Sequence, residues 1–300
     1  MKFLFPLAKR FIAGPDFDSA KPVINDLILD GYHVSVDYLG ELSKTEKDCH
    51  KAYEQYVEII RYYKSIEKPI DISIKPSQMG LNCYDAFCFQ YMDYLVNLAK
   101  SSNITVRLDM EDYSLVEQTI NLCLTLRQKY DNVGLAIQSN LMRTGIDIQR
   151  MFKNKVSMRL VKGAYTGDEK HYYQFDKQIK RIFTKQALQI LAERYRSKYF
   201  LSNTDTPTPA IATHDEDVLF EILHYLEPLN LEKYDFYLEF LYGIRRDLSS
   251  NLKKQGYKVR LYVPFGEEWL PYTLRRLKEF KNLKFVIFNV FKEFFKKNTS

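Results

Sequence analysis

The chain has 300 residues, 46% of them hydrophobic and 15% aromatic, with a formal net charge of +6. This suits one large α/β domain or two smaller ones, and the mild charge, with no Lys/Arg block before the extreme C-terminus, argues against nucleic acid in favour of an acidic small substrate or a membrane surface. Cys49, Cys83, Cys88 and Cys123 show no CxxC spacing and the five histidines form no HxxxH or HExxH set, so reduced thiols, a cytoplasmic compartment and no metal are expected.

Residues 1–12 are basic and apolar but lack the long hydrophobic run and small-residue cleavage site of a secretory leader. Residues 1–33 read as an N-terminal helical segment. Short runs rich in Val, Ile, Leu and aromatics then predict strands at 34–39, 71–75, 105–109, 133–138, 156–161, 210–213, 236–240 and 258–263. Between them, segments of helical period fall at 43–65, 84–100, 115–129, 171–199, 218–226 and 245–255, and the short connection between the fourth and fifth strands gives no clear helix. Eight strands alternating with helices, with no Gly-rich fingerprint after the first, predict a (β/α)8 TIM-type barrel over residues 34–282, and no Pro/Gly/Ser-rich linker divides it. No stretch has the apolar length of a membrane span.

Nearly every predicted strand ends on a polar residue. In order these are Glu41, Lys75, Asp109 with Glu111 and Asp112, Gln138 with Asn140, Arg159 with Lys162, Thr213 with His214 and Asp215, Glu239, and Tyr262. Barrels carry their sites on that rim, so the recurrence predicts one shared mouth. Taken singly each has a plainer reading: Lys75 and Asp109 as a rim pair, Glu111 and Asp112 as helix caps.

After the last strand, WLPYTLRRL at 269–277 opens a helix. Helical spacing puts Tyr272, Arg275 and Arg276 on one side and Leu270, Leu274 and Leu277 on the other, so the leucine face is expected to pack. Two guanidiniums beside a phenol suit an anion clamp over the mouth; adjacent arginines on a helix are also common as solvated surface charge. Residues 283–300 form a tail in which Phe288, Phe291, Phe294 and Phe295 recur at helical spacing beside Lys292, Lys296 and Lys297. Such a segment either lies in a bilayer interface or packs on the barrel.

These residues also carry a resemblance to a known family. VDYLGE at 36–41, SIKPS at 73–77, RLDME at 107–111, LAIQSNL at 135–141, MRLVKGAY at 158–165, ATHD at 212–215, EFLYGI at 239–244 and VRLYVPFG at 259–266, running into Tyr272, Arg275 and Arg276, are similar to the monofunctional proline dehydrogenases, in order and over most of the chain. The departures are Asp215, where members often carry Asn, and a short N-terminal segment. The resemblance implies a distorted barrel with the last helix over its mouth and FAD at the strand C-termini. It implies oxidation of L-proline to Δ1-pyrroline-5-carboxylate by hydride transfer to flavin N5, and delivery of the electrons to a membrane quinone. The ring-opened product then passes to a glutamate semialdehyde (pyrroline-5-carboxylate) dehydrogenase, expected as a separate chain.

By the same resemblance, Arg275, Arg276 and Lys75 bind the substrate carboxylate, Asp109 holds Lys75, and Tyr262 and Tyr272 wall the ring. Glu41 pairs with Arg275 as a gate. Arg159 contacts the flavin and, with Lys162, stabilises its reduced form, while Met110, Gln138, Val161, Gly163, Thr213 and His214 hold the cofactor. Asp109 and Arg159 are the expected catalytic residues. A Schiff-base aldolase with Lys162 as nucleophile is the alternative on the same barrel. The enzyme is expected in the cytoplasm, with peripheral contact at the inner face of the membrane through its tail.

Overall fold

The computed structural model describes residues 8–83, 85–200, 207–229, 232–233 and 235–279, with the backbone only at 229, 275 and 277–279. Eight parallel strands close into a barrel in sequence order: β1 (His33–Tyr38), β2 (Asp71–Ile74), β3 (Thr105–Leu108), β4 (Val133–Gln138), β5 (Ser157–Val161), β6 (Ala210–Ala212), β7 (Tyr237–Leu241) and β8 (Lys258–Phe265). β8 closes on β1 over six residue pairs, His33 to Tyr38 against Arg260 to Phe265. α1 (Phe17–Leu29) precedes the barrel; α2 (Glu46–Ser65), α3 (Asp85–Lys100), α4 (Tyr113–Arg127), α5 (Thr144–Lys153), α6 (Asp176–Tyr199), α7 (Glu216–Leu226), α8 (Arg246–Lys254) and α9 (Trp269–Glu279) follow the strands in turn. No described helix is long and apolar enough to cross a membrane.

Side chains alternate across a strand, and this alternation divides the interior in two. Val34, Val36, Ile72, Ile74, Val106, Leu108, Leu135, Leu160 and Leu238 belong to the apolar layer shared with the helices, and all are at most 1% exposed. Each such side chain contributes about 1.5–3 kcal/mol of burial. The intervening residues are polar and equally buried: Ser35, Asp37, Asp71, Ser73, Arg107, Arg159, Glu239 and Arg260. Gly134 makes room for them, since a Cβ there would lie 2.7 Å from Nη1 of Arg107.

Caps correct several helix boundaries. Thr45 and Asp48 form a capping box, so α2 starts at Glu46 and not at 43. Asp112 accepts from Ser114 N–H and Asp215 from Val218 N–H, which starts α4 and α7 two residues ahead of their apolar periodicity. The doubtful β4–β5 connection contains a ten-residue helix, α5, anchored by the Arg143–Asp147 pair at 2.7 Å. Residues 171–175 are not helical: Asp168 accepts from the N–H of Lys170 and His171, and Tyr172 bridges to Leu141. The expected tail at 283–300 lies outside the described residues.

The segment before α1 crosses the end of the barrel as a strap. Ala13 N–H donates to Pro264 O at 2.8 Å and Gly266 N–H to Gly14 O at 3.0 Å. Ala8, Phe11 and Ile12 form a second apolar cluster with Leu39, Ile244 and Tyr272.

Candidate active site

The ends of β1, β2, β3, β5 and β8 meet in one group. Lys75 Nζ donates to Asp37 Oδ1 at 2.9 Å; Asp109 accepts from Arg159 Nη1 at 2.9 Å and from Tyr262 OH at 2.8 Å. The expected direct pairing of Lys75 with Asp109 is therefore corrected. Asp37, facing the same way as Lys75 from the neighbouring strand, is the nearer partner, and Asp109 acts on the ammonium only through its field. Burial alone would lower Lys75, but Asp37 and Asp109 hold its pKa above the usual lysine value. Burial raises Asp109, against the opposing pull of Arg159 and Lys75. Burial, then the Asp109 charge, raises the Tyr262 phenol well above its usual value, so it stays a donor.

Beneath this group lies a charged barrel floor. Arg159 is 2% exposed and its guanidinium meets Ser73 Oγ (2.7 Å), Ser35 Oγ (2.7 Å), Asp71 Oδ1 (3.0 Å), Asp109 Oδ1 (2.9 Å) and Glu239 Oε1 (2.6 Å). Its Nε–H is badly angled toward Glu239, so that contact is an ion pair without a good hydrogen bond. Asp71 also takes Arg107 at 2.8 Å and Arg260 at 3.4 Å, and Glu239 takes Arg260 at 3.4 Å. Burial would raise Asp71, but the guanidiniums of Arg107, Arg260 and Arg159 hold it far below the usual carboxylate range. Four cations (Lys75, Arg107, Arg159, Arg260) thus face four carboxylates (Asp37, Asp71, Asp109, Glu239). Asp37, Asp71, Arg107 and Arg260 were not candidates from sequence, although polar residues at every second strand position were a visible signal.

The other candidates spread around the rim. Gln138 Nε2 donates to Glu111 O at 2.7 Å, while its buried Oε1 has no partner among the described residues. That orphaned acceptor is a place for a ring N–H of a bound group. Met110 is buried at the end of β3, the strand before β4. Val161 ends β5. Gly163 has φ of +109°, and a Cβ on it would lie 2.0 Å from Asn140 Oδ1, so the glycine is required by Asn140, whose Nδ2 donates to Tyr165 O.

Lys162 does not enter the group: it is exposed and paired with Asp176, and Lys180 bridges Asp176 to Asp215. Thr213 Oγ1 accepts from Asp215 N–H, and Asp112, not Glu111, caps α4. Glu111 is instead a buried acceptor for Ser77. Glu41 is half-buried near enough to Lys75 to raise its pKa.

α9 is turned relative to its expected faces. Tyr272 and Thr273 are buried whereas Leu274 is 45% exposed, because the strap supplies the packing partner and selects the aromatic side. Tyr272 therefore belongs to the apolar cluster of Ala8, Phe11, Ile12, Leu39 and Ile244. The Arg276 guanidinium lies 5.3 Å from the Tyr272 ring centroid. The side chain of Arg275 lies outside the described residues.

His214 Nε2 accepts from Leu241 N–H at 2.9 Å, so it is held unprotonated. Burial, then Arg276 and Arg245, lowers it to about 3. Its stabilising contribution is full above the unfolded value near 6.5 and is lost as pH falls toward 3. A His214→Gln variant, which retains an acceptor, is expected to lose less melting temperature than the parent between pH 7 and 5. His33, lowered to about 4 by burial and then Arg260 and Lys258, leaves a residual slope. Parallel Tm–pH curves for parent and variant would rule the assignment out.

The fold and mouth define the class: a (β/α)8 barrel with a charged site at the strand C-termini. The family described as Proline dehydrogenase matches residues 20–286. Proline dehydrogenase 1 of Bacillus subtilis (strain 168) is 30% identical over 298 residues, covering 95% of this chain and 91% of its own length. Proline dehydrogenase of Deinococcus radiodurans is 29% identical over 292 residues, covering 95% and 90%. The solved proline utilization A (PutA) of Bdellovibrio bacteriovorus, inactivated by N-propargylglycine, superposes with a TM-score of 0.79 at 22% identity, over 91% of this chain and 32% of that one. The chain belongs to the proline dehydrogenase family and is an oxidoreductase of that kind.

Proposed function

We propose that the chain oxidises L-proline to Δ1-pyrroline-5-carboxylate with FAD at the barrel mouth. The observation that carries this reading, beside family membership, is the single, largely buried group of Lys75, Asp37, Asp109, Arg159 and Tyr262 at the strand ends. Lys75 stays protonated there, and with Arg275 and Arg276 it would bind the substrate carboxylate. A charge-assisted hydrogen bond of about 1.5–3 kcal/mol is enough to orient so small a molecule. Tyr262, fixed by its bond to Asp109, would wall the proline ring and exclude water, with Tyr272 behind it. Glu41, beside Lys75, would close on Arg275 after proline enters.

The orphaned Gln138 Oε1, the buried Met110, and the backbone from Val161 through Lys162 to Gly163 suit a bound flavin, with Thr213 and His214 shaping the next loop. When bound, FAD supplies the oxidant that takes a hydride from the carbon next to the substrate nitrogen. Arg159 would act on it through its field, because its N–H groups already face protein acceptors. Lys162, exposed and paired with Asp176, fits a rim role better than that of a desolvated Schiff-base nucleophile, so the aldolase alternative loses its support.

We assign the electrons to a membrane quinone, reached by peripheral contact from the cytoplasm through the tail, and the product to a separate glutamate semialdehyde dehydrogenase. Purified protein is expected to carry a flavin spectrum that L-proline bleaches without oxygen and that recovers with a quinone in vesicles. A colourless protein still inactive after reconstitution with FAD would end this reading, and recovery with a soluble dye alone would end its quinone arm.

A further inference from the structure

One buried carboxylate at the mouth has no part in the mechanism above. Glu111, 2% exposed, accepts from the N–H of Ser77 at 2.9 Å through Oε2 and from Ser77 Oγ–H through Oε1. Ser77 Oγ in turn accepts from Leu42 N–H at 2.9 Å, and Ser77 O accepts from Ser43 N–H at 3.2 Å. Ser43 Oγ donates to Gln78 O at 2.8 Å, and Gln78 N–H donates to Lys75 O at 2.9 Å. On the other side, the carbonyl of Glu111 accepts from Gln138 Nε2. The loops that follow β1 and β2 are thereby tied to the Glu111 side chain, and the end of β4 to its carbonyl.

The tie bears on one strained residue. Leu42 sits at φ +52°, a region that L side chains rarely adopt, and its side chain is 53% exposed, so apolar packing does little to hold it there. Its N–H bond to Ser77 is the restraint, and Glu41 is the preceding residue. On the other flank, Lys75 lies two residues before Ser77.

We propose that Glu111 is a positioning residue for the substrate site, fixing through Ser77 the loop that carries Glu41 and the strand end that carries Lys75. The inference rests on the proline-binding roles given to Glu41 and Lys75 above. Glu111 touches neither substrate nor cofactor in this role. It supplies two acceptor oxygens to the buried Ser77, whose hydroxyl points away from its own turn and toward the next loop.

The test uses holoenzyme carrying Ser77→Ala, Glu111→Gln, Glu41→Ala, Lys75→Ala and the Ser77→Ala/Glu41→Ala pair. Ser77→Ala removes one oxygen and keeps the turn, so folding is expected to survive it. It should raise the proline KM at least tenfold with kcat within threefold and flavin content unchanged. Glu111→Gln, which keeps one acceptor oxygen, should fall between parent and Ser77→Ala. In the Glu41→Ala background, Ser77→Ala should raise KM by less than it does alone, the remainder acting through Lys75. Hydrogen exchange of peptides covering 39–44 should quicken in both Ser77→Ala and Glu111→Gln. Full additivity of the pair, or parental KM and exchange in both single variants, would overturn the proposal. If Glu41→Ala and Lys75→Ala leave KM unchanged, the substrate reading fails instead, and the exchange measurement still decides whether Glu111 holds the loop.

Discussion

Arg159→Met should destabilise the protein by about 3–5 kcal/mol, the range for removing one partner from a buried ionic group. Met fills much of the same volume, so the loss is electrostatic: four cations against four carboxylates become three against four. Asp71 retains Arg107 and Arg260, but Asp109 loses its guanidinium and Glu239 keeps only the longer contact to Arg260. Arg159→Lys should recover part of the stability and not all, because three ammonium donors cannot meet five acceptors distributed over β1, β2, β3 and β7. Urea unfolding of the three proteins measures this. A loss below about 1 kcal/mol for Arg159→Met would mean that the floor relaxes or admits water, as an exposed ion pair would.

Arg276→Ala should raise the apparent proline constant by roughly 10- to 150-fold, the equivalent of about 1.5–3 kcal/mol for a charge-assisted hydrogen bond. Flavin content should not change, since Arg276 rides on α9 and not on the strand ends that would hold the cofactor. Arg276→Lys should also bind weakly, because an ammonium lacks the planar fork and would not keep the guanidinium's place over the Tyr272 ring. Proline saturation curves with a soluble acceptor give the numbers, and a parental constant in Arg276→Ala would remove this residue from the carboxylate clamp. Arg275→Ala tests the second member of the clamp in the same assay.

The barrel was legible because its strands keep one uninterrupted apolar face, such as Val34 with Val36 and Ile72 with Ile74, between helices of clear period. Helix α5 was not, because TGIDIQRMFK begins with Thr-Gly and buries only Thr144, Asp147, Ile148 and Met151, too sparse a stripe to stand out. The charged floor was half legible. Ser35 and Asp37, Asp71 and Ser73, Arg107 and Asp109, and Arg260 and Tyr262 recur at the strand period of two, yet attention to strand ends found only Asp109 and Tyr262 and missed the others, at depths where a barrel ordinarily carries Val, Ile or Leu. The structure brings the strand-end candidates Asp109, Arg159 and Tyr262 together, whereas Asp37, the partner of Lys75, was not a candidate. Lys75 lies nearest Asp37, and nothing in the order of the chain distinguishes Asp37 from Asp109 as its neighbour. The turned α9 had another cause: helical spacing assigns the leucines inward, and only the strap, more than 250 residues away in sequence, makes Tyr272 the buried face.

That strap sets a schedule for the molecule's synthesis. Phe11 and Ile12 are synthesised long before their partners Ile244 and Tyr272, and β1 likewise waits for β8 to close its edge. Until β8 has emerged the nascent chain carries an open sheet edge, and until residue 272 has emerged an unmatched pair of large apolar side chains, features that invite pairing with a neighbouring chain. Completion of the mouth is therefore a late, all-or-none event. A chain halted before α9 would hold the charged floor but leave the strap without Tyr272.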